Sequence, residues 1–146
     1  MRVRAARPED EAALLALARS FHAEDGHPLP PEGACALAAM LTPVAAAEGR
    51  VMVLDEGGRI AGYAVLCFGY TVEYGGRDAF VDDIYVAPEL RGRGHGAALY
   101  AALEAAARAS GCRALHLEVM PDNAMRGWYE GLGYRDRGSA MLSKRL

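Results

Sequence analysis

The chain has 146 residues, 52% of them hydrophobic and 24% charged, with a formal net charge of −3. That is enough chain for one domain, residues 1–146, with a real core, and it is too apolar for a disordered segment. The charge balance excludes a general electrostatic pull toward nucleic acid or an anionic membrane. No run approaches the length of a membrane span. The N-terminal MRVRAARPEDE has no apolar stretch of the signal-peptide kind, so a cytoplasmic location is expected.

In chain order, residues 2–6 read as a short strand ended by Arg7-Pro8. Pro8 with Glu9, Asp10 and Glu11 makes a good helix start, because proline and acids suit the first turn. Leu14, Leu17, Ala18 and Phe21 then give one apolar helical face. The stretch HAEDGHPLPPEG, residues 22–33, reads as a loop rich in titratable groups, followed by a helix over 34–41. Segments 50–55 and 60–68 are apolar runs joined by a Gly57-Gly58 hairpin signal. A connection over 71–78 leads to the strand AFVDDIYV, 79–86. A helix over 94–110 has Leu99, Leu103 and Ala106 on one face and stops at Ser110-Gly111. The alternation in ALHLEV, 114–119, predicts a two-faced strand. A capped helix follows over 121–133, and the tail suggests a last hairpin. Three successive strands with helices on both sides predict an α/β fold with a mixed sheet.

Cys35, Cys67 and Cys112 match no disulfide framework and no metal-binding spacing. They read as small buried residues in a reducing compartment. The acids and histidines of the 22–33 loop lack metal-ligand spacing, so no metal is expected, and the loop reads as solvated or as lining an acceptor pocket. The six residues RGRGHG, Arg91–Gly96, stand between a strand and a helix. Glycines let backbone approach a ligand closely, and free amides at a helix N-terminus favour an anion. A dinucleotide fold would place GxGxxG after the first strand, and a phosphate-binding loop of the NTPase kind would need GKS or GKT. Neither is present. Asp82 and Asp83 are two carboxylates inside an otherwise apolar strand, and regular alternation would turn them to opposite faces.

Arg91, Gly94 and Gly96 complete the pattern Arg/Gln-x-x-Gly-x-Gly/Ala. With LEVMPDN and WYEGLGY further on, residues 79–135 resemble the GNAT superfamily of N-acetyltransferases, weakly favouring its small-amine and diamine branch. The resemblance implies a mixed sheet of about seven strands flanked by about four helices. It implies acetyl-CoA as cosubstrate, with Arg91, Gly92, Arg93, Gly94, His95 and Gly96 around the pyrophosphate. Ile84, Tyr85 and Val86 would pair through backbone with the pantetheine arm. A backbone N–H near the end of that strand, at a bulge, would serve the oxyanion. Tyr129 matches the thiolate-protonating tyrosine, since a phenol stays protonated at neutral pH. Asp82 falls where relatives carry the residue that deprotonates the amine, with Glu118 as the alternative. Asn123 stands at the start of the downstream helix as a cofactor contact or a plain cap. Its spacing to Tyr129 is one residue shorter than usual, which leaves Asp122 as the other candidate for that place. The acceptor would be a primary amine on a small molecule or a protein. Glu73, Asp78, Asp82, Asp83 and Glu89 against Arg77 favour a cationic one. The competing reading is a non-catalytic acyl-CoA sensor on the same fold. Neither nucleic acid nor membrane is expected as a partner. A homodimer through edge strands or a C-terminal hairpin is common in the family.

Overall fold

A computed structural model describes residues 1–146. Its strands are β1 (Arg2–Ala5), β2 (Gly49–Glu56), β3 (Arg59–Thr71), β4 (Gly76–Val86) and β5 (Leu115–His116), in the sheet order β1-β2-β3-β4-β5. The first four pair antiparallel. Beyond them, Arg113 N–H donates to Arg77 and Ala79 N–H to Ala114, so the chain advances in the same sense on both sides, as parallel neighbours do. The helices are α1 (Glu11–Glu24), α2 (Pro31–Ala39), α3 (His95–Ala109) and α4 (Arg126–Gly131), with short 3-10 turns at Pro8–Asp10 and Pro88–Leu90.

Alternation along the strands decides which face each helix covers. Val51 and Val53 of β2, Tyr63 and Val65 of β3, and Tyr85 of β4 form one core with Leu14 and Ala18 of α1 and Leu37 of α2. The other face belongs to α3. A Cβ added to Gly62 would lie 3.3 Å from Leu99 and 2.8 Å from the Tyr85 carbonyl, so this glycine lets the helix lie close to the sheet. Leu99 and Leu103 of α3 are fully buried. Arg4 ties the first strand down: it bonds Asp10 at 2.7 and 2.9 Å and Asp55 at 2.8 Å, and both carboxylates are buried.

The chain divides into two units, residues 1–115 and 116–146. The first contains β1 to β4 and α1 to α3; the second contains α4 and ends without regular structure. Five strands are therefore present where about seven were expected. The expected final hairpin is absent: Met141, Leu142 and Leu146 are exposed, and a two-stranded ribbon with no apolar face to bury is unstable. The strand foreseen over 114–119 is confined to Leu115–His116. Two local differences bear on function. The connection after β3 shrinks to Val72–Gly75. The helix α1 also runs on through His22 and Glu24 into what the prolines and glycines suggested was loop; nothing breaks it before Gly26, whose φ is +76°.

Candidate active site

The antiparallel ladder of β3 and β4 contains one irregularity. Val65 faces Asp83 and Leu66 faces Val81, so Asp82 is an inserted residue with no partner. A bulge was expected near the end of the strand; this one lies in the middle of β4, and it has two effects. The first concerns side chains. Asp82 and Asp83 do not face opposite ways as regular alternation required, because a bulge interrupts that alternation. Both charges act on Tyr63 and on Cys67, which line the α1 side of the sheet.

The second effect concerns backbone. Ala87 N–H donates to Ala61 at 2.9 Å, which makes 87/61 a hydrogen-bonded pair. Such pairs alternate, so Tyr85 and Asp83 also spend their backbone groups on β3, while those of Ile84 and Val86 point away from it. Before the bulge the phase is opposite, since Arg77 and Ala79 are the residues turned away from β3. Of the three residues expected to pair with a pantetheine arm, Ile84 and Val86 thus have backbone groups turned outward. Tyr85 does not, because its N–H and C=O face Tyr63. Arg91 Nε–H donates to the Val86 carbonyl at 2.9 Å, which leaves the Val86 N–H and both groups of Ile84.

Asp83 is buried. Its Oδ2 accepts the Tyr63 hydroxyl at 2.7 Å and lies 3.4 Å from His22 Nε2. Asp82 is solvent-exposed at its surface yet surrounded by enough protein to be desolvated. Desolvation and then the Asp83 charge raise its pKa above the ordinary carboxylate range, with His22 pulling the other way. A carboxylate so placed is a stronger proton acceptor than a free one. The Cys67 thiol is pushed up to about 11, chiefly by burial, and so stays protonated and unreactive. Of the cysteines expected to be buried, Cys67 and Cys112 are only partly so and Cys35 is exposed; all three are free.

Two other acids of the 71–89 segment are engaged elsewhere. Asp78 accepts the Thr71 hydroxyl, and Glu89 is held by Arg59 at 2.5 Å. Glu24, from the extended end of α1, joins the site instead. It accepts the Tyr85 hydroxyl at 2.6 Å and pairs with Arg91 at 2.8 Å, while the Arg91 guanidinium lies over the Tyr85 ring at 5.1 Å. In the sequence, His22 and Glu24 read as part of a loop, solvated or lining an acceptor pocket, and not as residues of a helix. The available signal was spacing, since Leu14, Ala18 and His22 fall at successive steps of four on one helical face.

At the end of β4, the RGRGHG corner has the features of an anion cradle. Gly92 and Gly94 take φ of +73° and +81°, which only glycine adopts readily. Gly96 has no such need, and a Cβ there would meet nothing within 4 Å. The fold itself therefore gives no reason for a glycine at 96, where the pattern also admits alanine. The helix α3 starts at His95 with no side chain capping its first turn, and Arg93 is exposed beside it. The residues present fit a bound pyrophosphate.

In the second unit, Tyr129 lies on α4 with its ring 5.0 Å from Trp128 and 6.0 Å from Tyr134. Asn123 Oδ1 accepts the Met125 N–H at 2.8 Å, so its side chain caps the turn leading into α4, while Asp122 is exposed. Glu118 is exposed beyond the end of β5.

A family model described as the acetyltransferase (GNAT) family matches residues 13–134. Over 82 residues the chain is 34% identical to a thialysine N-epsilon-acetyltransferase of Bos taurus, covering 56% of this chain and 48% of that one. Over 76 residues it is 42% identical to an acetyltransferase of Yersinia enterocolitica, covering 49% and 54%. The chain thus spans about half the length of the curated relatives it matches. Among solved structures, an integron cassette protein from the mobile metagenome of Cole Harbour Salt Marsh superposes with a TM-score of 0.83 at 35% identity, covering 99% of this chain and 90% of that one.

Proposed function

From the premise that this chain belongs to the acetyltransferase (GNAT) family, we propose that it is an N-acetyltransferase acting on a primary amine, with acetyl-CoA as donor. The observation that carries the reading is the construction of β4: one strand bears Asp82 at its bulge and runs at its end into the glycine cradle. When bound, acetyl-CoA supplies the thioester carbonyl that the amine attacks directly, with CoA thiolate as leaving group.

The chain's own residues divide the work. Backbone amides over 92–96 bind the pyrophosphate at the start of α3. The outward N–H and C=O of Ile84 hold the pantetheine arm as an added strand would, and the Val86 N–H serves the developing oxyanion. Asp82 takes the proton from the ammonium, directly or through one water, which frees the nitrogen lone pair. Its raised pKa suits that task. Tyr129 returns a proton to the thiolate; the support is its match to the family motif. Arg91 braces the cradle against Glu24 and Val86. Asp82 and Asp83 on one side of the sheet favour a cationic acceptor, a small amine or a peptide amine, and the thialysine-acetylating relative gives the same direction.

The test is CoA-thiol release from acetyl-CoA across polyamines, amino acids, aminoglycosides and lysine or N-terminal peptides. Asp82→Asn and Tyr129→Phe run beside the wild type. Turnover with one amine class, reduced at least tenfold in both variants, supports the assignment and names the acceptor. Calorimetric binding of acetyl-CoA with no turnover on any amine would instead favour the sensor.

A further inference from the structure

Two arginines stand in the RGRGHG corner, and the chain uses their side chains differently. Between β4 and the corner lies the 3-10 turn Pro88–Leu90, in which Leu90 N–H donates to Ala87 at 2.9 Å and Arg91 N–H to Pro88 at 3.2 Å. This turn folds the chain back, so the Arg91 side chain lies against the strand it follows. Its Nε–H donates to the Val86 carbonyl at 2.9 Å, and its Nη2 donates to the two Glu24 oxygens at 2.8 and 3.1 Å. The central guanidinium carbon lies over the Tyr85 ring at 5.1 Å, and the Tyr85 hydroxyl donates to Glu24 at 2.6 Å. Nε and Nη2 are thus both committed, and no pair of nitrogens remains for the paired donation by which arginine grips a phosphate. Arg93, two residues on, is exposed, and its side chain enters no ion pair.

Val86 is the residue whose N–H serves the developing oxyanion under the acetyltransferase reading. The N–H and C=O of one strand residue leave on the same edge, so the Val86 carbonyl stands beside that N–H. Left alone, its lone pairs would repel the charge gathering on the thioester oxygen. A donating guanidinium occupies them and sets a positive charge at that edge, where preorganised charge favours the transition state. Resting on that reading, we propose that Arg91 is a positioning residue for the acyl end of acetyl-CoA. Its side chain acts through the Val86 carbonyl on the oxyanion site, while Arg93 and the backbone amides meet the pyrophosphate. The first arginine of the motif thus serves the chemical step, and the second serves affinity.

The two anchors of Arg91 are separable. The Val86 bond spans five residues of one stretch of chain and draws nothing from α1. The Glu24 bond reaches 67 residues back to the end of α1 and holds the corner in place. Loss of Glu24 alone therefore leaves the Val86 carbonyl covered, whereas loss of the Arg91 side chain removes both contacts. The side chains of Arg91 and Glu24 are 46% and 45% exposed, so their ion pair adds little to stability and either residue can be changed without unfolding the chain.

The experiment uses the full chain, acetyl-CoA and the amine of highest turnover in the panel above. It compares Arg91→Gln, Arg91→Lys and Arg93→Gln with the wild type, by kcat at saturating acetyl-CoA and by calorimetric Kd for CoA. Arg91→Gln should lose kcat about tenfold, less than removing an oxyanion donor itself costs, with Kd raised only several-fold through the lost Glu24 pairing. Arg91→Lys keeps the charge and lacks the Nε–H, so it should restore Kd and leave kcat low. Arg93→Gln should show the converse, a Kd about tenfold higher and less sensitive to salt, with kcat within about twofold of wild type. A kcat unchanged in Arg91→Gln, or one restored by lysine, would overturn the role. So would an Arg93→Gln protein that binds CoA as tightly as wild type, a result that stands even if neither Arg91 variant folds. In each case wild-type turnover keeps the acetyltransferase reading. An absence of wild-type turnover with every amine would sink that reading, and this role with it.

Discussion

Gly96→Ala and Gly94→Ala separate two kinds of glycine in the RGRGHG corner, one that the motif lets alanine replace and one that it does not. Gly96 is the second residue of α3, has no positive φ, and faces open space where a Cβ would stand. Alanine should therefore help the helix. A Gly-to-Ala change gains about 1 kcal/mol in a helix interior, and roughly half that at a frayed first turn. At about 2–4 °C per kcal/mol for a chain of this size, the melting temperature should rise by about 1–2 °C. The pattern admits alanine at this position, so CoA binding should stay within about threefold of wild type, or about 0.7 kcal/mol. Gly94→Ala provides the contrast. At φ +81° an L-residue costs about 1–2 kcal/mol, so stability and binding should fall together. Thermal unfolding and a calorimetric titration with CoA measure both quantities on the same samples. A Gly94→Ala protein that binds CoA as tightly as wild type would refute the cradle.

Asp82→Asn should lower kcat about 100-fold, the lower end of the range for a lost general base, with the KM for acetyl-CoA unchanged. The same variant should melt higher than wild type at pH 8. A carboxyl whose folded pKa is raised stabilises the fold only while protonated, and it loses that contribution as pH rises through the folded value. Arg4→Met strands two buried carboxylates and should lower the melting temperature by roughly 5–10 °C. It should also flatten acid sensitivity. Arg4 holds Asp10 and Asp55 below the usual carboxylate range, so their contribution is complete above about pH 4 and fades as pH falls through the folded values. Glu24→Gln should release Arg91 from α1 and raise the KM for acetyl-CoA several-fold while leaving the chemical step alone, which steady-state and single-turnover rates together would separate.

What could be read from the sequence follows from periodicity. Apolar runs bounded by turn signals located β2, β3 and β4, and the apolar faces of α1 and α3 were visible at helical spacing, whereas the one alternating stretch, 114–119, formed only a two-residue strand. The glycine corner was legible because Gly92 and Gly94 need left-handed backbone and Gly96 does not. What failed did so for physical reasons. A bulge is an insertion in a pairing, and no single strand reveals its partner's count; Asp82 and Asp83 were therefore assigned opposite faces. His22 and Glu24 were taken for loop because prolines and glycines crowd the residues after them, although a helix ends at its first breaker and not before. The tail suggested strands by composition, but strands need a surface to cover.

The inserted residue at Asp82 also works like a reading frame. Everything from Asp83 to Val86 is addressed by its position relative to that one unpaired residue. Remove one residue between Val81 and Ile84, and Tyr85 exchanges places with its neighbours in both ring and backbone. The carboxylate against His22 and the outward amides would then be lost in a single step. Substitutions along this strand can be judged one at a time, but its length cannot drift. A chain that kept every residue type here and lost one position would keep the composition of the site and none of its geometry.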